Sequence, residues 1–252
     1  MKVTFLGTGT SQGVPVIACE CNICKSIDSK DRRLRSSVMV EMDNNTFIID
    51  AGPDFRYQML RAGVKKLDAV ILTHAHKDHI AGLDDVRAFN YLQKKAIDIY
   101  AKEDVCLQIK NEFSYAFAIY KYPGVPEINL HIVDRPFEIN NIKITPINVK
   151  HLHLDIFGYR IGDFTYITDA NFISEKEKDK IKGSKVVVMN ALRKKKHLSH
   201  YNLEEAVNLL KEINPERAYL THISHMMGLH EKVEKELPEF IKIAYDNLSI
   251  EI

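Results

Sequence analysis

Ala69-Val70-Ile71-Leu72-Thr73-His74-Ala75-His76-Lys77-Asp78-His79 is the stretch that decides how this chain is read. Its first five residues are apolar or β-branched and predict a short buried strand. Three imidazoles and a carboxylate then crowd the mouth of that strand, a dense set of ligands for a first-row metal. Alternate side chains of an extended backbone share a direction, so His74 and His76 can grip one ion. Asp78 and His79, at the turn into the next segment, can face a second ion. A loop that is histidine-rich by chance explains neither the spacing nor the carboxylate. The stretch points to a metal-dependent hydrolase.

A pair of ions needs about seven protein ligands, and this cluster supplies four of them. The others belong where strands end, because rigid elements position ligands best. Three places fit. His151 and His153 follow the predicted strand Ile142–Val149, Asp169 follows Phe164–Thr168, and His222 follows Arg217–Thr221. Asp169 suits a bridge, since one carboxylate can hold two ions ~3.5–4 Å apart. His151 and His153 share a face if their strand continues, and spacing alone does not choose between them. Cys19, Cys21 and Cys24 lie too close together to bridge one another easily, but their thiolates can wrap a soft metal. Cys106 stands alone and is read as a small part-buried apolar residue.

The rest of the chain sets the frame. At 252 residues and 45% apolar content it can bury a substantial core as one domain spanning 1–252. Lys+Arg 35 against Asp+Glu 34 leaves a net charge of +1, so no global basic field argues for nucleic acid as a partner. No apolar run reaches membrane-spanning length. The opening Met1-Lys2-Val3-Thr4-Phe5-Leu6 enters a strand without a signal-peptide layout, so a cytoplasmic location is the expectation.

Strands are predicted at Lys2–Leu6, in a hairpin of Ser37–Met42 and Thr46–Asp50, and at Ala96–Ala101, Leu130–Val133, Ile142–Val149, Phe157–Ile161, Phe164–Thr168, Lys185–Met189 and Arg217–Thr221. Helices are predicted from an Asp54 cap to Ala62, over Gly82–Leu92 and Glu103–Ser114, and from Ser174, Asn202 and Leu229 onward. The aromatic segment Phe113–Pro126 reads as an insert packed on the body. A meander of strands followed by alternating strands and helices gives an α/β (α+β) fold: two sheets face to face with helices outside, a four-layer αββα sandwich.

Taken together, Phe5-Leu6-Gly7-Thr8-Gly9-Thr10-Ser11, Asp50-Ala51-Gly52, the His74–His79 cluster, Asp169 and Thr221-His222-Ile223-Ser224-His225 resemble the metallo-β-lactamase superfamily. Gly13-Val14-Pro15 followed by Cys19, Cys21 and Cys24, with the second histidine His225, resembles its PhnP-like phosphodiesterase branch. The resemblance implies His74, His76 and His151 on one metal, Asp78, His79 and His222 on the other, and Asp169 between them. It favours His151 over His153 from the position of the glycine in Ile156-Phe157-Gly158. It implies a separate structural zinc on Cys19, Cys21, Cys24 and His225, a closed Cys₃His set, and a homodimer as the assembly. It also implies His200 as the catalytic partner. An imidazole there could donate to a phosphoryl oxygen or protonate a leaving alkoxide.

The expected reaction is hydrolysis of a small or cyclic phosphodiester, with water made acidic by two divalent ions, Zn²⁺ or Mn²⁺, and Asp78 placed to orient the nucleophile. Arg193-Lys194-Lys195-Lys196 could steer an anionic substrate toward His200. The competing readings are an RNA 3′-end nuclease, an ester or thioester hydrolase of the same superfamily, and a non-catalytic zinc-binding module. The last leaves the filled ligand positions without a purpose.

Overall fold

The computed structural model describes residues 1–252. Fourteen strands form two seven-stranded sheets. The first runs β14 (Ser249–Glu251), β1 (Lys2–Gly7), β2 (Ser37–Met42), β3 (Asn45–Ile49), β4 (Ala69–Ile71), β5 (Ile97–Ala101), β6 (Ile128–Ile132). The second runs β13 (Ile241–Ile243), β12 (Arg217–Thr221), β11 (Val186–Asn190), β10 (Phe164–Ile167), β9 (Leu154–Ile161), β8 (Ile142–His151), β7 (Phe137–Ile139). Each sheet is antiparallel at one side and parallel at the other: β3 to β6 in the first, β10 to β13 in the second.

Side-chain alternation explains the layering. In β4, Ala69 and Ile71 enter the core between the sheets, whereas Val70, and Leu72 just after the strand, face the helices outside. In β11, Val186 and Val188 face inward, and Val187 and Met189 face the other helical layer. These runs have no polar alternation because both faces are covered, as parallel strands require. Full burial of a side chain such as Ile71 contributes roughly 1.5–3 kcal/mol. Three apolar clusters of 22, 22 and 21 residues fill the space between the sheets and under each helical layer. The architecture is the αββα sandwich.

The sheets are also bonded to each other where β4 runs out. Tyr159 Oη donates to Leu72 O (2.7 Å) and the Phe157 N–H donates to Thr73 O (3.0 Å). His74 therefore leaves the first sheet already fixed against the second.

Several local expectations change. Asp54 does not cap the helix Phe55–Ala62; its carboxylate accepts from the Arg35 backbone N–H (2.8 Å) and pairs with the Arg35 guanidinium (3.0 Å). Asn202 caps Leu203–Ile213 in a full capping box with Glu205, but Ser174 sits at its helix start without a side-chain bond. Gly82–Leu92 is a 3₁₀ turn at Leu83–Val86 followed by an α-helix at Arg87–Gln93. β7, β13 and β14, three residues each, carry too little periodic pattern to be seen in sequence. No helix is long and apolar enough to cross a membrane.

Candidate metal centre

The side chains of the centre leave strand ends, the loops after them, or a one-turn helix that follows β4. His74 follows β4, and Asp78 and His79 open the one-turn helix Lys77–Ile80. His151 ends β8, while Asp169 and His222 follow β10 and β12. Asp50, after β3, Asp169 and His222 adopt left-handed backbone conformations (φ 66°, 59° and 57°). Each such residue costs about 1–3 kcal/mol, and such strain clusters at functional sites. Gly52 lets the helix approach: a Cβ there would lie 1.9 Å from Asp78 O. The Ala51 N–H donates to His79 O (2.7 Å) across the same contact.

The side chains expected to hold metal converge in two groups, His74 with His76 and His151, and Asp78 with His79, Asp169 and His222, and a third donor set, His151 with Asp169 and His200, overlaps both. Within each group the ligand atoms lie within 4.8 Å of one another. The rings of His74 and His76 are 4.6 Å apart, and those of His76 and His151 5.0 Å. Asp169 stands in the middle: Oδ2 is 3.1 Å from His79 Nε2, and Oδ1 is 3.1 Å from His222 Nε2. His153, in the turn after His151, is exposed and outside both groups.

Hydrogen bonding assigns the tautomers, and four histidines agree. The Thr73 hydroxyl gives its hydrogen to Asp50 (2.9 Å), so it accepts from His74 Nδ1–H (3.0 Å). His79 Nδ1–H donates to Asp50 Oδ2 at 2.7 Å. His151 Nδ1–H donates to the carbonyls of Asp169 (2.8 Å) and Ser199 (2.9 Å). Ser36 and Thr168 give their hydroxyl hydrogens to Gly9 O and Asp169 Oδ2, and so accept from His222 Nδ1–H (3.3 and 3.4 Å). Each ring thus anchors Nδ1 in the protein and turns the Nε2 lone pair inward, the arrangement that orients metal-binding histidines. Nε2 of both His74 and His79 is buried without a hydrogen-bond partner. These residues fit a pair of divalent ions.

The electrostatics agree. Burial alone would lower the His79 pKa, but the carboxylates of Asp50, Asp169 and Asp78 lift it well above the histidine range. Such a surplus of buried negative charge calls for a cation. Burial would raise Asp169, yet His222 and His79 hold it well below the carboxylate range. Burial and the charge of His79 push His74 far down. His200 joins the rim: its ring is 4.7 Å from that of His151, and Nδ1 is 3.5 Å from Asp169 Oδ1. Burial and His222 lower its pKa to about 3, so it is neutral at pH 7. His197 is exposed, 5.2 Å from the His200 ring.

A second donor set lies apart. His225 Nδ1 is 3.3 Å from Cys19 Sγ and 3.5 Å from the sulfurs of Cys21 and Cys24. The Cys24 N–H donates to Cys21 Sγ and lowers that thiol to about 6, whereas burial raises Cys24 to about 11. Three sulfurs and one nitrogen around a common point fit a single thiophilic ion with no position left for substrate. Cys106 is buried away from both sites, as expected of a core residue.

Reading the sequence residue by residue gave no role to Asp50, Thr73, Ser36 or Thr168. Only the position of Asp50, an acid at a strand end before Ala51-Gly52, could have marked it. The three hydroxyls leave no such trace.

Residues 45–223 match the family model described as beta-lactamase superfamily domain. The chain belongs to the metallo-β-lactamase superfamily. Within it the chain is PhnP-like. It superposes on the crystal structure of a new diphosphatase from the PhnP family with a TM-score of 0.93 and 39% identity, covering 100% of this chain and 97% of that one. It is 38% identical to the octanoyltransferase of Porphyromonas gingivalis over 98% of this chain and 51% of that protein. It is 28% identical to a ribonuclease Z of Prochlorococcus marinus over 65% of this chain and 50% of that one. The chain therefore spans about half the length of the curated relatives it matches.

Proposed function

We propose that this superfamily member is a metal-dependent hydrolase that cleaves a small phosphodiester. The observation that carries the reading is the common tautomer of His74, His79, His151 and His222, whose Nε2 atoms face inward onto Asp169 and its surroundings. His74, His76 and His151 would hold one divalent ion, Zn²⁺ or Mn²⁺, Asp78, His79 and His222 a second, and Asp169 both. Such ions supply Lewis acidity and make water acidic enough to lose a proton near neutral pH. Cys19, Cys21, Cys24 and His225 would hold a structural Zn²⁺. The first sheet provides His74 to His79 and the second provides His151, Asp169 and His222, so both sheets act as one hydrolase unit.

The chain's own residues then do the following. Asp50 fixes the ring of His79, and the Asp169 and Ser199 carbonyls fix that of His151. Asp78, grouped with His79, Asp169 and His222, is placed to orient the attacking nucleophile. His200, neutral and at the rim, offers an N–H hydrogen bond to a phosphoryl oxygen or to the departing alkoxide oxygen. A diphosphatase and a ribonuclease among the relatives favour phosphorus over carbon as the electrophile. The octanoyltransferase has as much chain again outside the match, so its name carries less weight here.

The test is a panel of bis-4-nitrophenyl phosphate, 2′,3′-cyclic nucleotides, a pre-transfer RNA and a thioester, each with Zn²⁺ or Mn²⁺. Turnover of the small diesters is the expected result. Turnover of the thioester alone would overturn the reading, and preference for the RNA would move it to the nuclease.

A further inference from the structure

Thr73, Ser36 and Thr168 meet the imidazoles of the centre at Nδ1, and each gives its hydroxyl hydrogen to a fixed protein acceptor. Thr10 does neither. Its Oγ1 lies 3.2 Å from His222 Nε2, the side of the ring turned inward, and makes no other hydrogen bond. Because the Nδ1–H of that ring is committed to Ser36 and Thr168, Nε2 carries the lone pair and the Thr10 hydroxyl is the donor.

Backbone bonds between the two sheets hold the residue there. The Ile223 N–H donates to Thr8 O (2.9 Å) and the Thr10 N–H donates to Ile223 O (3.1 Å), so the segment after β1 is tied to the residue that follows His222. Gly9 permits the approach, since a Cβ there would lie 2.9 Å from Arg33 Cβ. Thr10 is only 9% exposed, so its hydroxyl has little water to turn to. The lone pair it uses is the one His222 would give to a divalent ion. In the loaded centre the hydroxyl therefore loses its acceptor, and a nearly buried donor left unpaired is costly.

We propose that the Thr10 hydroxyl is a substrate-binding donor: released from His222 when the centre is loaded, it donates to a non-bridging phosphoryl oxygen of the bound diester. The inference rests on the phosphodiester reading and adds to it a residue that touches the substrate. A phosphoryl oxygen fits because it is negatively charged and must lie beside the ions to be attacked. It also leaves the carboxylates of Asp78 and Asp169 to the metals.

Three variants test this. Thr10→Val removes the hydroxyl but keeps the branched shape, Thr10→Ala removes it and leaves space, and Thr10→Ser keeps it. Each is titrated with Zn²⁺ from the metal-free state, then loaded and assayed for inorganic phosphate binding by calorimetry and for turnover of bis-4-nitrophenyl phosphate. The valine and alanine variants should bind Zn²⁺ as tightly as wild type or slightly tighter, because nothing then competes for His222 Nε2. Their phosphate affinity and kcat/KM should both fall about 10–100-fold, the scale of one hydrogen bond to a charged acceptor. The serine variant should recover both to within about threefold. Zn²⁺ bound about tenfold more weakly in both the valine and alanine variants would make Thr10 a support for the metal and overturn the proposal. Undiminished phosphate binding in those two variants overturns it as well, and so does an absence of phosphate binding by the loaded wild type. Failure of wild type to cleave the diester sinks the hydrolase reading instead, and the phosphate affinities then decide the role of Thr10 by themselves.

Discussion

Asp50→Asn tests the logic of the centre more sharply than removal of any ligand. The Asp50 carboxylate is fully buried and takes three donors: the Thr73 N–H (2.9 Å), the Thr73 hydroxyl (2.9 Å) and His79 Nδ1–H (2.7 Å). An asparagine fills the same space but replaces one acceptor oxygen by an NH₂ group. If the NH₂ faces His79, two donors meet unless the imidazole moves its proton to Nε2, which abolishes the inward lone pair. If it faces Thr73, the backbone N–H loses its acceptor, and an unsatisfied buried donor costs about 1–3 kcal/mol. The first outcome should weaken the ion on the His79 side by about 10–100-fold, or about 1.4–2.7 kcal/mol. The assay is a titration of metal-free protein with Zn²⁺ against a chelating dye. Wild type should take up three equivalents, and the variant should show one of them weakened and two unchanged. Three equivalents with affinities within twofold of wild type, without the loss of about 1–3 kcal/mol in stability that an NH₂ on the Thr73 side would cause, would refute the tautomer argument.

Three further outcomes follow from the same geometry. His200→Ala should lower kcat by about 10²–10³ and leave metal content intact, since its imidazole stands at the rim as a hydrogen-bond donor; loss of a metal equivalent would make it a ligand instead. Cys24→Ser should remove one zinc by elemental analysis and lower the melting temperature while the other two ions stay; unchanged zinc content would exclude the Cys₃His site. Stability should fall as pH drops below about 6.5, in part through His230. Burial and the adjacent Arg33 (3.1 Å) depress its folded pKa, so the fold favours the neutral ring; its contribution is complete above the unfolded pKa and lost below it. Denaturant unfolding at pH 7.5 and 5.5 should show a smaller loss in His230→Gln than in wild type, and an identical loss would reject this assignment.

Much of the molecule was legible before any coordinates. A strand buried on both faces announces itself by an unbroken apolar run, and both Ala69–Leu72 and Val186–Met189 did so. The Asn202–Glu205 capping box and the His74–His79 cluster are equally local: a few residues and their spacing contain the whole signal. The helix at Gly82–Leu92 was less so, because a 3₁₀ turn and an α-helix share nearly the same apolar spacing.

Sequence by itself determined the layered fold and which residue types could hold metal, because burial periodicity and ligand chemistry are properties of neighbouring positions. Tertiary structure alone decided that His151 turns inward while His153 meets solvent, and that Asp50, Thr73, Ser36 and Thr168 set the tautomers of rings distant in the chain. The physical reason is that a hydrogen bond depends on where two atoms stand in space. Ser36 and His222, 186 residues apart, share no pattern a linear reading could join.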